Sequence, residues 1–331
     1  DTPYSSVSAN ACGSCHATHG AGMKSRLLVF DKITDNCSAC HNGNVASKNV
    51  LSEFDKPSAH RTIADTSKVH DPTEDLINSD RHVECVDCHN PHASKSSSAI
   101  APTAGGALAG VAGINSGRAV VDPVVREYEL CYRCHADSDN RGEAHVTRLT
   151  VETNTRHEFS TGNKSYHPVE AAGKNADVPS LITPWTSSSL MYCTDCHNND
   201  TGPGSGGTGP NGPHGSVNVP LLERNLVTID YGDESGYAYA LCYKCHDRSN
   251  IMADKSFNKH HTHVADKQAA CTTCHDSHGV EGATHLINFN AAYVTQSSSL
   301  RGPEFIDDGR FKGTCYLTCH GKDHNPLSYA P

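Results

Sequence analysis

All 16 cysteines of this 331-residue chain stand in eight motifs that end in histidine. Seven read C-x-x-C-H: Cys12/Cys15/His16, Cys37/Cys40/His41, Cys85/Cys88/His89, Cys131/Cys134/His135, Cys193/Cys196/His197, Cys242/Cys245/His246 and Cys271/Cys274/His275. The eighth is one residue looser, Cys315/Cys319/His320. The C-x-x-C-H spacing is that of c-type haem attachment, in which both sulfurs form thioethers to the porphyrin and the adjacent histidine gives iron its first axial bond. Zinc sites take four ligands from paired cysteine units and have no use for a histidine fixed after every second cysteine. A disulfide framework or a redox C-x-x-C asks for no particular residue after the cysteine. The chain therefore reads as an eight-haem cytochrome c, with no cysteine left for a structural disulfide.

The second axial ligands must come from elsewhere. Of 23 histidines, 15 lie outside the motifs, whereas the three methionines, Met23, Met191 and Met252, do not recur in any pattern. Bis-histidine ligation of every haem is the economical reading. It gives lower potentials than His/Met ligation and fills every iron, which favours electron transfer over catalysis. The recurrent positions are His19, His92, His214 and His278 after odd-numbered motifs, with His60, His167 and His263 after even-numbered ones. His82, three residues before Cys85, is the eighth choice, with His70 and His260 as runners-up. His145, His157, His261, His285 and His324 fall outside the pattern and read as surface or propionate-bonding residues. Tyr132, Tyr243 and Tyr316, inside or beside even motifs, read as packing against porphyrin rather than as electron relays, and Trp185 as structural.

The elements that position these groups are sparse. Only 36% of residues are hydrophobic, Gly and Pro number 27 and 16, and mean hydropathy is −0.53. Such a chain cannot build an ordinary aliphatic core, so the haems must be the core and the thioethers its staples. The expected fold is mostly irregular coil with short α-helices at the haem motifs and few short strands. The motifs alternate in type, which marks an internal repeat. Apolar, strand-like stretches follow odd motifs at Leu108 to Ile114, Val219 to Ile229 and His285 to Phe289, and a phenylalanine (Phe54, Phe159, Phe257) follows even ones. One unit of approximate haem-pair repeats is expected, at 1–60, 61–145, 146–255 and 256–331. The Gly-rich stretch Thr201 to Gly215 lacks the lysine of a phosphate loop and reads as a flexible loop returning His214 to a haem.

A formal charge of −10, before any haem propionate, argues against nucleic acid or an anionic membrane as partner. No apolar run is long enough to span a bilayer; the longest weakly apolar stretch, Ala99 to Ile114, is broken by Pro102. Opening at Asp1-Thr2-Pro3 without a signal peptide, the chain reads as a processed form, periplasmic or extracellular, where haem attachment of this kind is completed.

Several segments resemble the filament-forming extracellular multihaem cytochromes, the OmcE/OmcS-type nanowires. They are Cys12 to His19, Arg81 to His92, Ser165 to Val169, Gly212 to Ser216 and Leu286 to Phe289. The resemblance implies a polymer whose haems form one continuous chain, stacked in alternating parallel and T-shaped pairs. It also implies that His19 ligates a haem of the neighbouring copy, haem 7 or 8. The partners would then be copies of the chain itself, other multihaem cytochromes and extracellular electron acceptors. A soluble periplasmic shuttle carries the same residues. An octahaem reductase of nitrogen or sulfur oxyanions is the rival class, against which stand the histidine surplus and the lack of any C-x-x-C-K.

Overall fold

One helical turn is the shortest element that sets two cysteines three apart, and a histidine four after the first, on one side of the backbone. That turn recurs through the chain in the computed structural model, which describes residues 6–60, 74–78, 82–137 and 144–330. The motif histidine donates its backbone N–H to the carbonyl of the first cysteine at His16, His41, His89, His246 and His275, over 2.8–3.0 Å. The turn is α-helical at α2 (Ile33–Ser38), α3 (Cys85–Cys88), α4 (Glu127–His135) and α7 (Cys271–Cys274), counting α1 as Val7–Asn10, α5 as Thr155–Glu158 and α6 as Arg248–Met252. It is a 3₁₀ turn at motifs one, five and six.

The longest helix, α4, carries Glu129 in its first turn and Arg133 in its last, charges that complement the helix dipole. The Glu129 carboxylate accepts from the free N–H groups of Val125 and Arg126 at 2.7 and 2.9 Å. Tyr128 and Tyr132, both 2% exposed, pack their rings 5.0 Å apart on its inner face.

The eighth motif departs from this pattern. With an extra residue between its cysteines the turn cannot close, and Cys315 and Cys319 lie instead on a strand, Lys312–Cys319. That strand is the centre of a four-stranded antiparallel sheet with Val294–Thr295, Glu304–Gly309 and Lys322–Tyr329. Such a sheet, and a motif on a strand, correct the expectation of short helices at every motif. Of the three strand-like stretches, only Gly113–Ile114 is a strand, paired with Val120–Val121. The others hold single bridges, Asn218 with Leu222 and Ile287 with His275, because these segments bond to histidine side chains rather than to a sheet.

The backbone gathers into two compact units, Asp1–Ser98 with Gly105–Val111 and His197–Glu223, and Ala99–Ala104 with Ala112–Cys196 and Arg224–Pro331. Each contains one copy of the same small ladder. In the first, β1 (Ser58–Ala59) pairs with β2 (Gly215–Ser216); in the second, β3 (Ser165–Tyr166) pairs with β4 (Gly279–Val280). Apolar burial is divided among small clusters, such as Ala238, Tyr239, Val264 and Ala270, or Phe289, Val294 and Leu317. The fold is mostly coil with few short helices and small sheets, which is compatible with a multihaem cytochrome. Among the described residues no helix is long and apolar enough to cross a membrane.

Candidate haem-binding site

Three even motifs lie beside the odd motifs that follow them. The first cysteines of motifs two and three, Cys37 and Cys85, share a side-chain hydrogen bond, as do Cys131 and Cys193 of motifs four and five and Cys242 and Cys271 of motifs six and seven. These contacts join an even motif to the next odd one, across the repeat boundaries that the sequence suggests. A threonine and a glutamate reinforce the first two junctions: Thr34 Oγ1 donates to Glu84 at 2.5 Å, and Thr194 Oγ1 to Glu127 at 2.5 Å.

The sequence treats the two cysteines of a motif alike, and the structure separates them. The second cysteine of motif two, Cys40, does not stand on a helix as expected: α2 ends at Ser38, and Cys40 lies in the turn that follows. Its N–H donates to the Cys37 carbonyl at 3.1 Å, and its own carbonyl accepts from Ala46 N at 2.9 Å, so the chain leaves the helix there. Cys15, Cys196 and Cys245 likewise lie one residue past their 3₁₀ turns, each N–H donating to the first cysteine's carbonyl at 3.2 Å. Cys134, by contrast, is inside α4, whose length carries both cysteines of motif four, and Cys88 and Cys274 close α3 and α7. Cys40 and Cys134 are both half-buried, and no disulfide joins any of the 16 cysteines.

The histidine side chains are held by one ring nitrogen. Nδ1 of His16, His89, His197 and His275 lies 2.9, 3.0, 3.1 and 2.8 Å from the carbonyl oxygens of Arg26, Ala107, Pro220 and His285. A carbonyl oxygen can only accept, so Nδ1 carries the proton and the Nε2 lone pair is left to bind a metal. The same holds for three of the residues chosen as distal ligands. Nδ1 of His60 donates to Pro213 at 2.8 Å, that of His167 to Ser277 at 2.7 Å and that of His263 to Lys259 at 2.8 Å. Burial lowers the pKa of His60, His167 and His275 below the usual range and that of His214, His246 and His260 to about 4, desolvation being the main cause.

The acceptor carbonyls come from the return segments, and a local backbone device aims three of them. Leu27, Leu221 and Leu286, each following an acceptor, have φ of 55°, 57° and 58°. Leucine adopts this left-handed conformation only at a cost of about 1–2 kcal/mol. Around motifs one and seven the backbone bonds are equivalent too: Val29 N to Cys15 O with Ala17 N to Leu27 O, and Asn288 N to Cys274 O with Asp276 N to Leu286 O. The apolar stretches read as strands from the sequence are these carbonyl-presenting returns. Arg26 to Val29 is the fourth, which the sequence reading missed, and a short apolar run after motif one was its signal.

Pairs of imidazoles complete the geometry. His16 and His92 have ring centres 6.1 Å apart and planes 11° from parallel. His89 and His214 are likewise 6.1 Å apart, at 20°, and His275 lies 6.4 Å from His260, at 41°. Two imidazoles sharing one iron through nitrogen bonds of about 2.0 Å would place their ring centres about 6.3 Å apart. The residues present therefore fit haem iron held between a motif histidine and a return histidine. Spacing is informative only in that combination, since His263 and His324, neither in a motif, are also 6.2 Å apart.

The remaining choices fall as follows. His19 is exposed, and among the described residues no ring packs against it. His278 lies under Phe159, ring centres 5.1 Å apart. His82 turns Nε2 to Glu74 and Asp87, at 3.3 and 3.8 Å. His70 lies outside the described residues. His320 has φ of 48° and turns Nε2 to Asp230 at 2.6 Å, with Tyr231 stacked 4.6 Å away, so the eighth motif does not present its histidine as the others do. Of the tyrosines, Tyr132 and Tyr243 bond to Glu170 and Glu234 at 2.6 and 2.8 Å, and Tyr316 lies under the Arg301 guanidinium at 4.0 Å. The Gly-rich loop is tied down rather than loose: Asn198 Oδ1 accepts from Gly212 N at 2.7 Å and Asn199 is fully buried.

Residues 5–46, which span the first two motifs, match the family model described as the doubled CXXCH motif. The match indicates a multihaem c-type cytochrome carrying covalently bound haem c. No curated protein and no solved structure matches the chain.

Proposed function

We propose that the chain carries electrons over long distances outside the cell, through a continuous series of eight bis-histidine c-type haems, as the subunit of a cytochrome filament. The observation that carries this reading is the set of motif–return histidine pairs 6.1–6.4 Å apart, His16 with His92, His89 with His214 and His275 with His260. When bound, haem supplies a one-electron iron couple. The cysteine pairs anchor the porphyrin edge, and the carbonyls of Arg26, Ala107 and His285 hold each motif imidazole in the tautomer that binds iron. With both axial positions filled, no site is left for a substrate, and no side chain is assigned an acid, base or nucleophile role. His60, His167 and His278 serve as further axial ligands in this scheme. His260, which faces His275, serves the seventh motif.

The offset of the pairs supports polymerisation. His92 follows motif three and reaches motif one; His214 follows motif five and reaches motif three. His19 follows motif one, and in this scheme its reach is to a haem of a second copy. An exposed His19 fits the iron of the eighth haem in a second copy, the seventh being taken by His275 and His260. His19→Ala should leave all eight haems attached, by intact mass, and abolish filaments in negative-stain images. Normal filaments from that variant would overturn the polymer. A high-spin, ligand-binding haem in the native protein would instead favour a reductase.

A further inference from the structure

The small ladder in each unit brings a glutamate–phenylalanine pair against a histidine–glycine pair. In the second unit, Glu158 and Phe159 meet His278 and Gly279; in the first, Glu53 and Phe54 meet His214 and Gly215. The register is the same, because a Cβ on either glycine would stand 1.9 Å from the carbonyl oxygen of Glu158 or Glu53. Only glycine allows so close an approach, and it fixes both histidine rings under their phenylalanines.

The two copies differ in one hydrogen bond. The histidines held by backbone carbonyls donate Nδ1–H to a neutral acceptor, whereas Nδ1 of His278 lies 3.0 Å from the Glu158 carboxylate, itself 8% exposed. The corresponding carboxylate of Glu53 is drawn to Lys56 Nζ at 2.5 Å, and the buried Nδ1 of His214 has no hydrogen-bond partner among the described residues. Asp276 is also near His278, but Arg148 Nε at 3.4 Å and Asn288 Nδ2 at 3.1 Å take its charge. A hydrogen bond to a carboxylate is about twice as strong as one to a neutral oxygen. It draws the Nδ1 proton away and makes Nε2 a better electron donor, and this stabilises ferric over ferrous iron.

We propose that Glu158 is a positioning residue that, through His278, makes the haem held by His278 more reducing than the haem held by His214. The inference rests on the reading of both histidines as axial ligands. The test is a spectroelectrochemical titration of the purified haem-loaded protein and its Glu158→Gln and His278→Ala variants, with haem content by mass confirming that each is loaded. Glu158→Gln keeps the size of the side chain and removes the charge. It should leave every haem low-spin and raise the potential of a single component about tenfold in its ferrous/ferric ratio, which for one electron is 59 mV. His278→Ala should convert one haem to high spin. An unshifted titration in Glu158→Gln, with a high-spin haem in His278→Ala, would overturn the tuning role alone. No high-spin haem in His278→Ala would overturn the ligand reading on which it stands.

Discussion

The imidazoles of His89 and His214 face one another with ring centres 6.1 Å apart and planes 20° from parallel. One sits in a haem motif and the other at the end of a glycine-rich loop in a distant part of the sequence. Their separation is what one shared iron requires. His214→Ala should therefore turn one haem from low to high spin while all attached haem is retained, read by electron paramagnetic resonance and intact mass. An unchanged low-spin spectrum would remove His214 from the ligand set.

The ladder glycines predict a steric failure. A Cβ at Gly215 or Gly279 would stand 1.9 Å from a backbone carbonyl oxygen, which has no room to withdraw. Gly215→Ala and Gly279→Ala should each cost about 2–4 kcal/mol, with the neighbouring histidine displaced. Thermal unfolding measures the first effect and the count of high-spin haems the second. Gly20, with nothing within 4 Å of its Cβ position but a φ of 68°, provides a contrast in which backbone strain alone acts.

Relief of backbone strain predicts the opposite sign. Leu27 is 47% exposed and held at φ 55° only to aim the Arg26 carbonyl at His16. Leu27→Gly removes the steric cost and gives up little burial, so the protein should gain about 0.5–1 kcal/mol, net of the greater freedom of glycine when unfolded. A fall in melting temperature would show that the leucine side chain contributes more than its conformation costs.

An ion pair beside the fourth motif predicts an acid limb. Asp137 accepts from Arg156 Nε at 2.8 Å and Nη2 at 2.5 Å, and this pairing holds its carboxyl down at about 2. A depressed carboxyl stabilises the fold above its unfolded value, and that stability is lost as pH falls from about 4 through 2. Asp137→Asn should cost about 1 kcal/mol at pH 7, the bidentate geometry being partly offset by solvent screening. The difference between variant and parent should vanish near pH 2. A difference independent of pH would mean the side chain acts by shape alone.

The attachment motifs were legible because thioether chemistry is local: two cysteines and a histidine within one turn state the cofactor without reference to the rest of the fold. Histidine surplus announced the second ligands as a class, and the recurrence of His92 and His214 after odd motifs marked their positions. Which motif each serves was not legible. His92 lies three residues beyond His89 yet faces His16, and His260 rather than His263 faces His275, because pairing depends on how the return segments cross in space. The strand-like stretches misled for a related reason. Their short apolar runs suit a strand, but the carbonyls of Pro220 and His285 are committed to histidine rings, and the left-handed Leu221 and Leu286 break the ladder. The sequence by itself determined the covalent chemistry, because spacing along a chain is local. Only the tertiary structure decided the imidazole pairs, the even-to-odd cysteine contacts and the carboxylate on His278, because each joins groups whose distance is set by packing and not by sequence separation.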